Sequence, residues 1–125
     1  MKLHSDLTWE PPTDVVETEQ TIIVLVEVPG MNGREIDVVT DGKILKISGT
    51  RRNITPQGRK QFHKLEIQVG PFERLVELPV LVDHSDVSAH YERGILTVTL
   101  RKLEEQKRVR RVESSDTVKG KGRDR

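Results

Sequence analysis

Asp83, His84 and Ser85 carry the three side-chain types of a hydrolase triad, and they are consecutive in the chain. The members of such a triad converge from separate elements of a fold, because neighbouring side chains do not reach the required mutual geometry. Turn or helix-capping chemistry is the better interpretation, and residues 83–86 could start a helical turn. This segment therefore gives no reason to expect hydrolysis.

The histidines are the other candidates for chemistry, and their spacing does not suit a metal site. No two of them are two or four residues apart; they are His4, His63, His84 and His90. The chain has no cysteine, which excludes thiolate ligands, disulfides and a cysteine nucleophile. Five glycines fall at predicted strand ends, and the glycines form no phosphate-binding loop; the five are Gly42, Gly49, Gly58, Gly70 and Gly94. We expect a protein that is not an enzyme and has no cofactor.

The charge distribution gives little reason to expect nucleic acid or a membrane as a partner. The chain has 21 Lys and Arg against 20 Asp and Glu. Basic residues are in excess after Glu104, but acidic residues interleave them and aromatic residues for base stacking are scarce. Neither a secretory signal nor a run of about 20 apolar residues is present. We expect a cytoplasmic protein that binds neither nucleic acid nor membranes.

Short runs of β-forming residues between turn residues dominate the middle of the chain. Residues 21–28 (TIIVLVEV) form an unbroken run, typical of a strand covered on both faces, and Pro29-Gly30 ends it. Residues 36–40 and 44–48 flank Asp41-Gly42-Lys43, in which glycine can take a positive φ. This second pattern predicts a hairpin.

Four further runs complete the pattern, at residues 62–69, 72–78, 87–92 and 95–101. No segment shows a sustained apolar period of about 3.6 residues. The sequence therefore predicts an all-β protein, an immunoglobulin-like antiparallel β-sandwich of seven to eight strands. We expect the sandwich over residues 13–102, after a short flexible arm at 1–12 and before a charged, mostly disordered tail at 103–125.

Several short motifs follow one another in a characteristic order. They are Pro12-x-Asp14-Val15-x-Glu17-Thr18, Val28-Pro29-Gly30, Ile36-x-Val38, Leu45-x-Ile47-x-Gly49, Phe72-x-Arg74-x-x-x-Leu78-Pro79 and Ala89-x-x-x-Arg93-Gly94-Ile95-Leu96. In this order they resemble the α-crystallin domain of the small heat-shock proteins, over about three quarters of the chain. The last motif is similar to that family's signature turn, with Arg93 where the family usually has Asn. Because Asn takes a positive φ more easily than Arg, the turn should be slightly less favourable here.

The resemblance implies an ATP-independent holdase chaperone, which binds unfolding client proteins and prevents their aggregation. It also implies a homodimer, in which residues 61–68 pair with the first strand, at 14–18, of a second subunit. The implied interface residues are Asp14, Val15, Val16, Phe62, His63, Leu65, Ile67 and Arg74, with Arg74 paired to a carboxylate. The alternatives are a loop that folds back on its own sheet and an exposed strand arginine with little effect on stability.

A second implied surface is an apolar groove for clients or partners, formed by Ile36, Val38, Val87 and Ala89. Plain core packing is the alternative for each of these side chains. The family's groove usually receives two apolar tail residues separated by one, whereas Val109 and Val112 are three apart and would face opposite sides of an extended strand. We therefore expect a dimer or small oligomer with weaker or narrower chaperone activity.

Two other functions stay open at this stage. One is a co-chaperone or scaffold of related sandwich type that binds a specific folded partner. The other is an immunoglobulin-like adhesion or carbohydrate module, which commonly has a buried tryptophan and a disulfide; here the only tryptophan is in the arm and cysteine is absent.

Overall fold

A computed structural model describes residues 8–104, which form two packed antiparallel sheets. The strands are β1 (Thr13–Glu17), β2 (Thr21–Glu27), β3 (Ile36–Thr40), β4 (Ile44–Arg51), β5 (Gly70–Glu77), β6 (Val82–Glu92) and β7 (Ile95–Lys102), with one 3-10 turn at Gly33–Glu35. One sheet has the order β1-β2-β7-β6 and the other has the order β3-β4-β5. The predicted β-sandwich is confirmed. Over the same residues, no helix is long and apolar enough to cross a membrane.

The core lies where the two sheets face each other. Alternate residues of β2 and β7 are fully or almost fully buried, and side chains of β4 and β5 meet them from the second sheet. The central members are Ile22, Val24, Val26, Leu45, Ile47, Phe72, Leu96, Val98 and Leu100. Ile23 and Leu25 on the other face of β2 are only half-buried, so the expectation that both faces are covered was wrong for this strand.

Gly49 explains why one of the recognised motifs needs a glycine. A Cβ atom at this position would lie 2.9 Å from the carbonyl oxygen of Glu35 and 2.9 Å from Cζ of Phe72. Since carbon atoms do not approach so closely without displacement, the ring of Phe72 can pack here only against a residue with no side chain. The packing of β4 against β5 therefore requires the glycine of this motif.

Residues 83–86 form no helical turn and lie within β6, because the strand continues through them with a bulge. Val82 pairs with Lys102 and Val87 pairs with Leu100, so four residues of β6 stand opposite Arg101 alone. Inside this bulge, the Ser85 hydroxyl donates a hydrogen bond of 2.6 Å to Asp83. The serine is thus bonded to a carboxylate in a turn-like arrangement, as the turn interpretation of this segment requires.

Two contacts could not be foreseen from the sequence pattern. Trp9, in the segment expected to be a flexible arm, makes a parallel bridge to Phe72 of β5, and its ring packs against the Phe72 ring. Lys102, at the end of β7, has a side chain that is only 1% exposed, and its Nζ lies 2.7 Å from Oε2 of Glu17. The carboxylate compensates a charge that would otherwise be buried alone.

Candidate protein-binding surfaces

The β1 edge is the first candidate surface, because within residues 8–104 β1 pairs with a strand on one side only. Two backbone hydrogen bonds fix its orientation, from Glu27 N–H to Pro12 O at 3.0 Å and from Thr18 N–H to Thr21 O at 2.9 Å. In an antiparallel ladder the backbone groups of successive residues alternate in direction. The N–H and C=O groups of Asp14 and Val16 therefore also point to β2, whereas those of Thr13, Val15 and Glu17 point outward. Val15 and Val16 are each 44% exposed. The edge can therefore accept another strand.

The loop at residues 52–69 is the second candidate, and it corrects one sequence prediction. Residues 61–68 form no strand and pair with no other strand in the described part of the chain. Their β-type pattern is unused, since Leu65 is 70% and Ile67 is 74% exposed, and Phe62 is exposed with them. An exposed segment with apolar, β-forming residues is typical of an element that pairs with another strand or another chain.

Arg74 lies on β5 and pairs with a carboxylate of the same chain. Its Nη1 lies 3.1 Å from Oε1 of Glu10, which precedes β1 by three residues. The buried Nε of Arg74 has no hydrogen-bond partner among the residues that the structure describes. The pairing of Arg74 with a carboxylate is therefore present within one subunit, and its place at a dimer interface stays a prediction.

The third candidate is a cleft of about 320 Å³ between β3 and β6. Its apolar lining comes from Ile36, Val38, Ala89 and Leu96, and its polar lining includes Asn32, Arg34 and His90. Three of the four predicted groove residues therefore lie together. Core packing, the alternative for these side chains, also occurs: Ile36 belongs to the core, and Val38 and Val87 pack against it. Val87 is not part of the cleft lining.

Tyr91 also lines this cleft, a role that the sequence analysis did not assign to it. Its hydroxyl donates to the carbonyl oxygen of Val28 at 2.8 Å and accepts from the N–H of Met31 at 3.3 Å. These bonds hold the ring in place against Gly33, whose Cβ position would lie 3.1 Å from Cβ of Tyr91. The cleft thus has one rigid aromatic wall.

The signature turn connects β6 and β7 through Arg93 and Gly94. Both residues have a positive φ, 54° for Arg93 and 83° for Gly94, as a two-residue hairpin of this kind requires. A Cβ atom at Gly94 would lie 2.9 Å from Cβ of Pro29. Ile95 starts β7 opposite Glu92, and Leu96 is buried in the core. The turn therefore fixes where Ala89 and Tyr91 stand along the cleft.

Two carboxylates in turns have altered proton affinity. The Ser85 hydroxyl, followed by the Ser85 N–H, lowers the pKa of Asp83 below its usual range. The backbone N–H groups of Ile44 and Lys43 lower the pKa of Asp41 in the β3–β4 turn. Both effects are turn chemistry, since hydrogen bonds to the ionised form favour that form. Within residues 8–104, no group of three histidines or carboxylates could hold a metal ion.

Taken together, these features are characteristic of one class of protein. A seven-stranded sandwich with an open first edge, a long exposed loop between β4 and β5 and a cleft between β3 and β6 has the architecture of an α-crystallin domain. The Hsp20/alpha crystallin family matches residues 14–115. The chain belongs to this family of small heat-shock proteins.

Individual relatives agree with this assignment. The small heat shock protein C2 of Rickettsia felis is 35% identical over 103 residues, which are 82% of this chain and 66% of that protein. The 17.8 kDa class I heat shock protein of Arabidopsis thaliana is 36% identical over 104 residues, 82% of this chain and 66% of that protein. The chain therefore spans just under two thirds of the length of each.

Solved structures show the same fold. Heat shock protein 16.0 of Schizosaccharomyces pombe has a TM-score of 0.67 and 33% identity, covering 77% of this chain and 89% of that one. The hspA protein of Xanthomonas axonopodis has a TM-score of 0.69 and 27% identity, covering 76% of this chain and 95% of that one. The likeness covers about three quarters of this chain in each case.

Proposed function

We propose that this protein is an ATP-independent holdase chaperone, which binds exposed apolar segments of unfolding cytoplasmic proteins and keeps them from aggregating. The observation that carries the proposal is an apolar cleft, together with a strand edge that no other described strand pairs with, on one sandwich of the Hsp20/alpha crystallin family. Apolar clefts and open edges bind extended segments through side-chain pockets and backbone hydrogen bonds. Neither mode of binding needs a nucleotide.

The working unit in this proposal is a homodimer, in which the β1 edge accepts residues 61–68 of a second copy. Outward backbone groups of Val15 and its alternate neighbours supply the ladder, and Leu65 and Ile67 leave water against the exposed valines of β1. Charge also favours the pairing. Asp14 and Glu19 lie at the acidic edge, whereas Arg59, Lys60 and Lys64 make the loop basic.

The cleft between β3 and β6 is the proposed site for clients. Val38 and Ala89 offer small apolar surfaces, while Arg34 and His90 at the polar side favour a segment with a neighbouring carboxylate. The domain limits at 1–12, 13–102 and 103–125 remain predictions. The tail residues Val109 and Val112 lie outside the described residues, and the proposed cleft does not depend on them.

The test is thermal aggregation of a model client without ATP, followed by turbidity, with the mass of the same chaperone sample measured by light scattering. Suppression at near-stoichiometric ratios is expected from the wild-type protein. Ala89→Phe fills the cleft and should reduce protection about threefold without a change in mass. Ser88→Phe is the matched control, because Ser88 does not line the cleft and its side chain points to the face of β6 opposite that of Ala89.

Two outcomes would contradict the proposal. Equal protection by both phenylalanine variants would remove the cleft from client binding. No suppression by a well-folded wild-type dimer would refute the holdase function and favour the co-chaperone or scaffold, which binds one folded partner.

A further inference from the structure

Arg51 connects three segments of the chain that are far apart in sequence. It is the last residue of β4, where the loop at 52–69 begins. Its Nε donates to the carbonyl oxygen of Gln68 at 2.9 Å, and Nη2 donates to the same oxygen. Nη1 donates to the carbonyl oxygen of Pro29 at 3.1 Å. Gln68 lies two residues before β5. The side chain of Arg51 therefore connects the two ends of the loop, and it fixes them to Pro29, just after β2.

Trp9 covers this guanidinium group. Cζ of Arg51 lies 4.4 Å from the centroid of the Trp9 ring, within the range of a cation–π contact. The indole Nε1–H donates to the carbonyl oxygen of Gly70 at 3.3 Å, and the Trp9 and Phe72 ring centroids lie 5.5 Å apart. The indole therefore rests on the start of β5 while its face stacks on the guanidinium group of Arg51.

We infer that Arg51 and Trp9 form a clasp, which holds the ends of the dimer loop and makes that hold depend on the N-terminal segment. The inference rests on the proposed strand exchange. A loop whose ends are fixed loses less conformational freedom when it pairs with a second copy. Displacement of Trp9 removes the stacking partner of the guanidinium, loosens the loop and promotes dissociation of the dimer.

The clasp requires arginine and not merely a positive charge. The planar guanidinium presents several donors in one plane, so it reaches the Gln68 and Pro29 carbonyls while its face stacks on the indole. A lysine ammonium at the same place could keep the charge but not this combination of contacts. Arg51→Lys is therefore the most informative substitution.

The chain contains one tryptophan, so its fluorescence reports directly on the clasp. We expect Arg51→Lys to shift the Trp9 emission and to raise the dimer dissociation constant about tenfold, as measured by analytical ultracentrifugation. Trp9→Ala should raise the dissociation constant to a similar extent, and the double variant Trp9→Ala/Arg51→Lys should add little. Lys46→Ala, which removes a cation from the same strand, is the control and should change neither quantity.

Limited trypsin digestion separates the clasp from the dimer. The loop contains cleavage sites at Arg52, Arg59, Lys60 and Lys64, and Arg51→Lys leaves every trypsin site in place. At concentrations at which the wild type and Arg51→Lys are both monomeric, faster loop cleavage in Arg51→Lys supports the clasp, whether or not strand exchange occurs. Unchanged cleavage, emission and dissociation constant in Arg51→Lys would overturn the clasp, as would fully additive effects in the double variant.

Discussion

The four-stranded sheet ends in two edges of opposite character. The β1 edge is a short, regular strand of five residues with exposed valines. The β6 edge is a strand of eleven residues, interrupted by a bulge at 83–86. Its exposed residues are mostly polar or charged, and Asp86 pairs with Arg101 of β7.

The two edges differ in how readily they can pair with another strand. Bulges and charges are common means of preventing unwanted strand addition, and β6 has both. The β1 edge has no bulge, and Thr13 and Val15 are uncharged; its one outward-facing charged residue, Glu17, is paired with Lys102. We therefore expect a second copy to join at β1, whereas β6 binds through the cleft on its inner face.

The largest effect should come from blocking the open edge. Val15→Pro removes an outward N–H without touching the β1–β2 ladder, so the fold should persist while the dimer dissociation constant rises at least about 100-fold, or roughly 2.7 kcal/mol. Analytical ultracentrifugation measures the constant. Ala89→Pro makes the equivalent change on β6 and should leave dimerisation intact. If both substitutions dissociate the dimer equally, the contrast between the edges is wrong.

Gly94→Ala should act on stability and not on pairing. The substitution forces a side chain into a positive φ and places its Cβ 2.9 Å from Cβ of Pro29. We expect unfolding to become easier by about 2 kcal/mol, measured by urea denaturation. The dissociation constant at low temperature should change little, because β1 is distant in the sheet order. A loss of less than about 0.5 kcal/mol would show that the turn relaxes freely.

The contribution of the β6 bulge to stability should decrease in acid. Because the folded-state pKa of Asp83 is lowered by Ser85, its stabilising effect is present above the ordinary value of about 3.9 and is lost as the pH falls below that value. Asp83→Asn should therefore give a shallower acid decline of stability than the wild type in urea unfolding between about pH 5 and 2.5. Ser85→Ala should flatten the decline in the same direction. Identical slopes in all three proteins would contradict the role of this bond.

The smallest effect is expected from Arg93→Asn. Asn is favoured over Arg at the φ of 54° found here, so the variant should be stabilised by about 0.5 kcal/mol in thermal or urea unfolding. Arg93→Ala provides the control and should give no gain, since alanine has no preference for this conformation. Equal stability of the Asn and Arg proteins would mean that the turn carries no strain.

Much of the sandwich could be predicted from local pattern. The β-branched run at 21–28, the turn at Asp41-Gly42 and the turn at Arg93-Gly94 each carry a strong short-range signal, and each is present where expected. Local pattern was misleading at 61–68, because β propensity indicates a strand but not which chain supplies its neighbour. At 83–86, a capping pattern competed with a bulge that only strand register reveals.

The contacts around Trp9, Arg51 and Lys102 could not have been predicted in this way. Each joins residues tens of positions apart, and nothing in the composition of a charged terminus shows that one lysine will be buried. Tyr91 and Leu96 were missed as cleft residues for a similar reason, since the register of β6 against β7 decides which side chains face β3. The groove residues Ile36, Val38 and Ala89 came from the family resemblance.

The burial of Lys102 gives the molecule a built-in chemical probe. The other lysines of the described region, Lys43, Lys46, Lys60 and Lys64, are exposed, and an amine-reactive reagent should label them quickly. Lys102 should react only when the corner between β1 and β7 opens and its ammonium leaves Glu17. Its labelling rate, read by mass spectrometry of one peptide, therefore measures how often the sheet opens beside the β1 edge.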